Sequence, residues 1–312
     1  MDSSPPTRAL GRYEDSFFSS LVAGVILVNL FAYLMVGYSL YNSRKHYDRL
    51  AEVTTQNLAK SLEANFSDIL DKMNIVLFSV GEEAEERLSW HDNKQLSLGA
   101  YAKQQLQILP EADQISITDS AGNVLYGSDS TTTAINISDR DYFSRLSNGS
   151  DQQLVVSNLL KGKVTGKWKI IAARRYNKPD GSFAGVVIGT IDVAYFDKLF
   201  SLLDIGKYGA VGLRDADFKL AALHPKGKEA ASQVGSNVVS QKTRDMIQAN
   251  PVTATYKTVF ARDNLERMVT FRKVAKYPYY IFATISPAEY LTSWRKEAGG
   301  GLVLLLLFTI TT

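Results

Sequence analysis

Hydrophobic positions change texture three times along the chain. From Phe17 to Tyr41 the sequence FFSSLVAGVILVNLFAYLMVGYSLY carries no charge. About 20 such residues cross a bilayer as a helix. The run is too long for a signal peptide and lacks a small-residue cleavage site, so it reads as a retained anchor. Tyr33, Tyr38 and Tyr41 gather toward one end, where amphipathic rings favour the headgroup layer. From residue 44 to 88 the apolar residues instead recur every three to five positions: Leu50, Val53, Leu58, Leu62, Phe66, Ile69, Met73, Leu77 and Val80. That spacing marks one face of a long helix, and no proline interrupts it. Such a helix suits a spine or a dimer seam, with the acidic EEAEE at 82–86 as a solvated face.

From about residue 114 the pattern shortens to strands and tight turns. Ile115 and Ile117 alternate with polar residues, and Ala121-Gly122-Asn123 turns the chain into VLYGS. A short helix is expected over ISDRDYFSRL, 137–146. Strands are expected over LVVSN (154–158), KIIAARRYN (169–177) and FAGVVIGTID (183–192), the last two joined by the turn KPDGS. VAYFDKLFSLL, 193–203, places Val193, Phe196, Leu199, Phe200 and Leu203 on one helical face. A second round follows in miniature. GAVGLRDA and KLAAL form a hairpin, a helix covers 241–249, and TATYKTV, MVTFRKVA and YYIFATIS are strands. The helix PAEYLTSWRKEA has proline in its first turn, where the missing N–H costs nothing. The fold class is α+β, with two successive antiparallel-sheet units.

Ala298 to Thr312, AGGGLVLLLLFTITT, is again uncharged. Fifteen helical residues rise roughly 22 Å, so this reads as the start of a second crossing, with further chain expected beyond it. Arg8 and Arg12 precede the first crossing while Arg44, Lys45 and Arg49 follow it, so local charge does not set the orientation. Two anchors around a large block nevertheless suggest a receptor. The expected order is a cytoplasmic N-terminus at 1–16, a membrane helix at 17–41, an extracytoplasmic block at 42–297 and the second crossing from 298. Within the block, the long helix occupies 42–90, one unit 91–204 and the other 205–297.

Composition adds exclusions. The net charge is +3, and no basic arm suggests nucleic acid. Cysteine is absent, which removes disulfides and thiolate chemistry and leaves the compartment open. His46, His91 and His224 are the three histidines, without metal-ligand spacing. GKVTGKW at 162–168 has three residues between its glycines where a phosphate loop has four. Trp168 stands where a magnesium-binding hydroxyl is required. It reads as a turn over the sheet. No catalytic residue, metal or cofactor is assigned within residues 1–312.

Taken together, the flanking apolar runs, the long helix, DRDYF, GKW, ARR, the PDG turn and GVVIGTID resemble a bacterial double Cache sensor region over roughly 45–296. The resemblance is strongest at 138–200. It implies two tandem PAS-like units on the periplasmic side of the inner membrane. The membrane-distal unit would hold a small ligand and the proximal one would transmit, in a homodimer. It also implies a cytoplasmic output. The flavour of these motifs is closest to sensors fused to diguanylate cyclases, which make cyclic-di-GMP; histidine kinases and chemoreceptors are the alternatives, and a ligand-free dimerising stalk is the rival class.

Some members bind amino acids through an R-x-W/Y-Y element, a later tyrosine and an aspartate ending a strand. Arg140 and Tyr142 match the first element and Asp192 the last; Phe143 lacks the second hydroxyl, and Leu159 or a neighbour replaces the later tyrosine. The implied ligand is therefore carboxylate-bearing or simply anionic, with Arg140, Tyr142, Phe143, Trp168, Arg174 and Asp192 as candidate contacts. Each has a plainer reading. Ser138 and Asp141 have nearly capping-box spacing, so Arg140 could pair with Asp139 or Asp141 at a helix start. Asp192 could cap the helix at 193, Trp168 could be lid or core, and alternation sends Arg174 and Arg175 to opposite faces of one strand.

Overall fold

The computed structural model describes residues 8–90, 95–128, 135–149, 153–227, 233–260 and 264–312; His91 and residues 1–7 lie outside these. Helix α1, Arg8–Trp90, is continuous over 83 residues. It contributes to two compact units, one of residues 1–51 and 287–312 and one of residues 52–286.

In the first unit, α1 exposes Phe17, Leu21, Ile26, Leu27, Phe31 and Leu34. It is the one helix among the described residues that is long and apolar enough to cross a membrane. The C-terminal helix expected from residue 287 is interrupted. α6, Pro287–Tyr290, and α7, Thr292–Thr311, are separated at Leu291, whose ψ is 5°. α7 lies antiparallel along α1. Asn29 Nδ2 donates to Thr312 Oγ1 at 2.9 Å, Trp294 Nε1 to the Leu40 carbonyl at 3.0 Å, and Tyr290 OH to Asp48 Oδ1 at 2.7 Å. Hydroxyls of Tyr47 and Ser43 donate to Glu297 at 2.6 and 2.8 Å and hold its carboxyl below the usual range.

The second unit begins with the helical stripe. Leu62, Phe66, Ile69, Met73, Leu77 and Val80 are buried as their spacing predicts. Glu82 and Glu86 are exposed, but the solvated reading of EEAEE needs correction at Glu85. Glu85 accepts a 2.6 Å bond from the Asn177 amide and so ties the helix to a strand. α2, Gln95–Gln107, had no counterpart in the sequence reading. Its apolar residues, Leu96, Leu98, Ala100, Tyr101, Ala102 and Leu106, are scattered among Gln, Lys and Ser, so no apolar stripe stood out.

The N-terminal sheet comprises β1 (Gln114–Thr118), β2 (Val124–Gly127), β3 (Val155–Val156), β4 (Leu160–Lys161), β5 (Trp168–Asn177) and β6 (Phe183–Asp192). Its order is β2-β1-β6-β5-β3, with β4 also on β5, and the pairings are antiparallel. The expected strand at 154–158 shrinks to β3, because only Val155 and Val156 pair with Ala173 and Ala172. β5 and β6 alternate cleanly. Ile170, Ala172, Val187 and Ile191 join α1 in the main core, whereas Ile171, Ala173, Val186 and Ile188 join α3, Asp141–Asn148, on the opposite face. Gly189 is required where α1 crosses: a Cβ there would lie 2.2 Å from Met73 Sδ.

After α4, Ala194–Ser201, the C-terminal sheet follows. It contains β7 (Ala210–Asp215), β8 (Leu220–His224), β9 (Thr253–Phe260), β10 (Leu265–Lys273) and β11 (Tyr279–Ile285), ordered β8-β7-β11-β10-β9. One face packs on α1, where Phe66 lies 5.2 Å from the Tyr279 ring and 5.3 Å from Phe196. α5, Gln241–Ala249, covers the other face with Ile247 against Tyr256, Val269 and Phe271. Its N-cap is Ser240, whose Oγ accepts from the Thr243 amide. The two PAS-like antiparallel sheets on one leading helix are thus the α+β arrangement that the alternation implied.

Candidate ligand-binding site

A tight turn positions the first candidate. Asp119 accepts from the amides of Ala121 and Asn123, and Gly122 adopts φ +85°, a conformation that suits glycine. The Gly122 carbonyl then accepts from Ile137 at 2.8 Å, and a Cβ on Gly122 would press within 2.8 Å of the Ser138 nitrogen. This docks segment 135–140 beside β2 and delivers Arg140 to the N-cap of α3. Arg140 has extended φ and ψ there and no side-chain cap bond forms.

The result is a cleft of about 120 Å³ on the α3 face of the N-terminal sheet. Its floor is Gln114, Ser116, Lys169, Ile171, Ile188 and Thr190; its walls include Ile137, Arg140 and Tyr142; and the turn Gly162–Thr165 forms the rim. The GKVTGKW stretch therefore serves as a hairpin edge between β4 and β5, closed by Gly162 N to Lys167 O at 2.8 Å.

The capping alternative for Arg140 is not realised. Asp139 accepts from Lys163 Nζ at 2.5 Å, and that bond holds the Asp139 carboxyl below its usual range. Ser138 Oγ donates to Asn136 instead. Arg140 donates from Nη2 to the Lys161 carbonyl at 3.2 Å and forms no ion pair among the described residues. Tyr142 is 5% exposed; burial pushes its hydroxyl up to about 12, and it has no hydrogen-bond partner among the described residues. Lys169 is ion-paired with Asp113, which also accepts from Thr190 Oγ1 at 2.6 Å. Three cations thus line the cleft, and the arginine alone keeps its planar fork of donors free of carboxylate.

The other candidates sit elsewhere, each for a structural reason. Phe143 lies under the cleft in the apolar cluster, edge-on to Phe183 at 5.7 Å. Trp168 shares the parity of Ile170 and Ala172, faces away from the cleft, and packs where a Cβ on Gly235 would lie 2.3 Å from its ring. Arg174 also points to the α1 side, donating to Asn74 Oδ1 at 2.6 Å and stacking on Phe78 at 5.1 Å. Arg175 takes the α3 face but is held by Asn177 and the Gly149 carbonyl. Asp192 stands one residue before Val193, the N-cap of α4, and accepts from the Ala194 amide at 2.9 Å in a local turn, with Lys167 Nζ 3.8 Å away. Lys163, Lys169, Thr190, Gln114 and Ser116 were missed. The available signal was polar residues on an apolar face: Lys169 shares parity with Ile171 and Ala173, and Thr190 with Ile188.

The Cache domain family model matches residues 43–294. The chain belongs to the double Cache family. Cache domains are extracytoplasmic sensor modules of membrane signalling proteins, and the cleft lies in the first of the two sheets of this Cache region. Among solved structures, the extracellular domain of rpHK1S-Z16, assigned as a histidine kinase, is similar with a TM-score of 0.66 and 23% identity, covering 79% of this chain and 98% of that one. The ligand-binding domain of the Campylobacter jejuni chemoreceptor Tlp3, in complex with 4-methylisoleucine, gives a TM-score of 0.60 and 16% identity, covering 79% and 94%. The ligand-binding domain of Mlp24 with asparagine gives 0.60 and 14%, covering 81% and 98%. At these identities the likeness is one of fold. No curated protein matches the chain significantly.

Proposed function

We propose that this Cache region is the sensor of a bacterial transmembrane signalling protein, and that it takes a small carboxylate-bearing ligand such as an amino acid in the N-terminal cleft. One observation carries the reading: the Arg140 guanidinium lines the cleft without an ion pair, beside the unpartnered Tyr142 hydroxyl. A hydrogen bond to a charged group contributes about 1.5–3 kcal/mol, and millimolar to micromolar binding needs about 4–8 kcal/mol. Ile137, Ile171 and Ile188 supply the apolar enclosure that the remainder requires. Tlp3 with 4-methylisoleucine and Mlp24 with asparagine support a ligand of amino-acid size.

In this reading residues 17–41 and the apolar part of α7 both cross the inner membrane, and residues 42–297 are periplasmic. The exposed apolar residues Ile75 and Leu88 on α1 favour a homodimer seam. Histidine-kinase and chemoreceptor neighbours support those outputs; the diguanylate cyclase expected from the motifs gains no support from them. The region itself regulates and does not catalyse. A thermal-shift screen of the whole chain in lipid nanodiscs, against amino acids and small dicarboxylates, tests the reading. Saturable stabilisation that Arg140→Ala removes, with circular dichroism unchanged, is the expected result. A panel without any saturable shift refutes it.

A further inference from the structure

The C-terminal sheet carries a second cavity, of about 200 Å³, between its outer face and the start of α5. Its walls are mostly hydrocarbon: Leu220, Leu223, Val238, Val259, Val269 and Phe282. Gly212 on β7 opens its floor, since a Cβ there would meet its nearest atoms only at 3.5 Å. Polar groups are few. Ser240, Thr243 and Tyr256 line it but satisfy one another, with Tyr256 OH to Thr243 Oγ1 at 2.8 Å and Ser240 Oγ to Thr243 Oγ1 at 2.9 Å.

Arg214 is the exception. It lines the same cavity and donates from Nη1 to the carbonyls of Phe218 at 2.6 Å and Ser236 at 3.0 Å. It has no carboxylate partner among the described residues. Its sequence neighbour Asp215 is on the other face of β7, engaged by the Leu159, Asp217 and Lys219 amides. The Asp215 carboxylate favours the Arg214 charge without forming an ion pair, and Arg244, stacked over Phe218 at 5.1 Å, opposes it. Burial holds Arg214 below its ordinary range, at about 10, so it remains charged at neutral pH. A half-buried cation without an ion-pair partner is unfavourable, and a bound anion relieves it. The N-terminal end of α5, at Ser240 and Thr243, borders this space. An apolar cavity with a single unpaired cation selects an amphipathic anion.

We propose that this cavity is a second ligand site, separate from the Arg140 cleft, for a short-chain monocarboxylate of about three to six carbons, its hydrocarbon body in the apolar space and its carboxylate on Arg214. The test uses the whole chain in nanodiscs, titrated by calorimetry with propionate, butyrate, pentanoate and hexanoate and with the matching straight-chain alcohols. Affinity is expected to rise along the acid series, and each acid to bind at least about tenfold more tightly than its alcohol. Arg214→Lys should weaken the acids and Arg214→Met should abolish the preference over alcohols. Gly212→Val should block the series, while Arg140→Ala leaves it intact. Absence of acid binding, equal affinity for acid and alcohol on the unaltered protein, or loss of binding in Arg140→Ala would each overturn the assignment. The alcohol comparison needs no substitution, so a folding defect in a variant does not blunt it.

Discussion

Asp215 Oδ2 accepts a 3.0 Å hydrogen bond from the Leu159 amide, tying β7 of the C-terminal sheet to the residue beside Leu160, which lines the ligand cleft. Tyr279 OH reinforces the tie by donating to the Ser157 carbonyl at 2.9 Å. Asp215 is fully buried, and burial raises its carboxyl above the usual range against the pull of the Lys219 and Leu159 amides. Keeping a charge there is unfavourable unless the donating amides of Leu159, Asp217 and Lys219 stay in place. Any change in the cleft that moves residues 157–160 therefore reaches β7 directly.

Asp215→Ala should destabilise the chain by about 3 kcal/mol, because three amides lose their acceptor. Asp215→Asn keeps one oxygen for Asp217 and Lys219 and turns an amide group toward Leu159. It should cost less stability yet still weaken cleft binding. Urea denaturation and ligand titration of both variants separate the two effects.

Arg174 and Arg140 should behave as opposites. Arg174→Ala removes the bond to Asn74 and the stacking on Phe78, so the expected loss is about 1–2 kcal/mol of stability with ligand affinity unchanged. Equal losses of affinity in the two variants would refute the face assignment of β5.

Gly189→Ala should destabilise by about 1–3 kcal/mol, since the new methyl meets Met73, which is fully buried and has little room to move. Adding Met73→Ala should recover part of that loss, giving a coupling above about 1 kcal/mol in the double-mutant cycle. Additive losses would show that α1 does not press on β6 at this point.

Alkali should weaken the fold through buried phenols. Tyr142 and Tyr256 are each pushed up to about 12 by burial, above the ordinary 10.0. Their folded values exceed the unfolded one, so their contribution is complete below about pH 10 and is lost as pH rises toward about 12. Denaturation midpoints should fall across that window, together with tyrosinate absorbance. Tyr142→Phe with Tyr256→Phe should make the fall shallower, and the part that remains comes from Tyr176, Tyr277 and Tyr279, which burial also raises.

Much of this architecture was legible because a helical period and short apolar runs between turns carry it. The three-to-five spacing from Leu62 to Val80 gave the buried face of α1, and apolar runs bounded by the KPDGS turn, β-branched in FAGVVIGTID, gave β5 and β6 almost to the residue. The cleft was only half legible. Arg140 and Tyr142 are close in sequence and share one short helix start, whereas Lys169, Thr190 and Gln114 meet only because β1, β6 and β5 are adjacent in the sheet. Strand order is set by long-range pairing, which local pattern does not encode. Trp168 and Arg174 were misplaced for the complementary reason: one parity step decides the face, and both fell with Ile170 and Ala172.

The most direct test is calorimetric titration of the nanodisc-embedded chain and its Arg140→Ala variant with the amino acid that most stabilises the protein. The unaltered chain should bind one ligand per chain, and the variant should bind at least about tenfold more weakly at equal thermal stability. Equal affinity in the two proteins would contradict a ligand held by the Arg140 cleft.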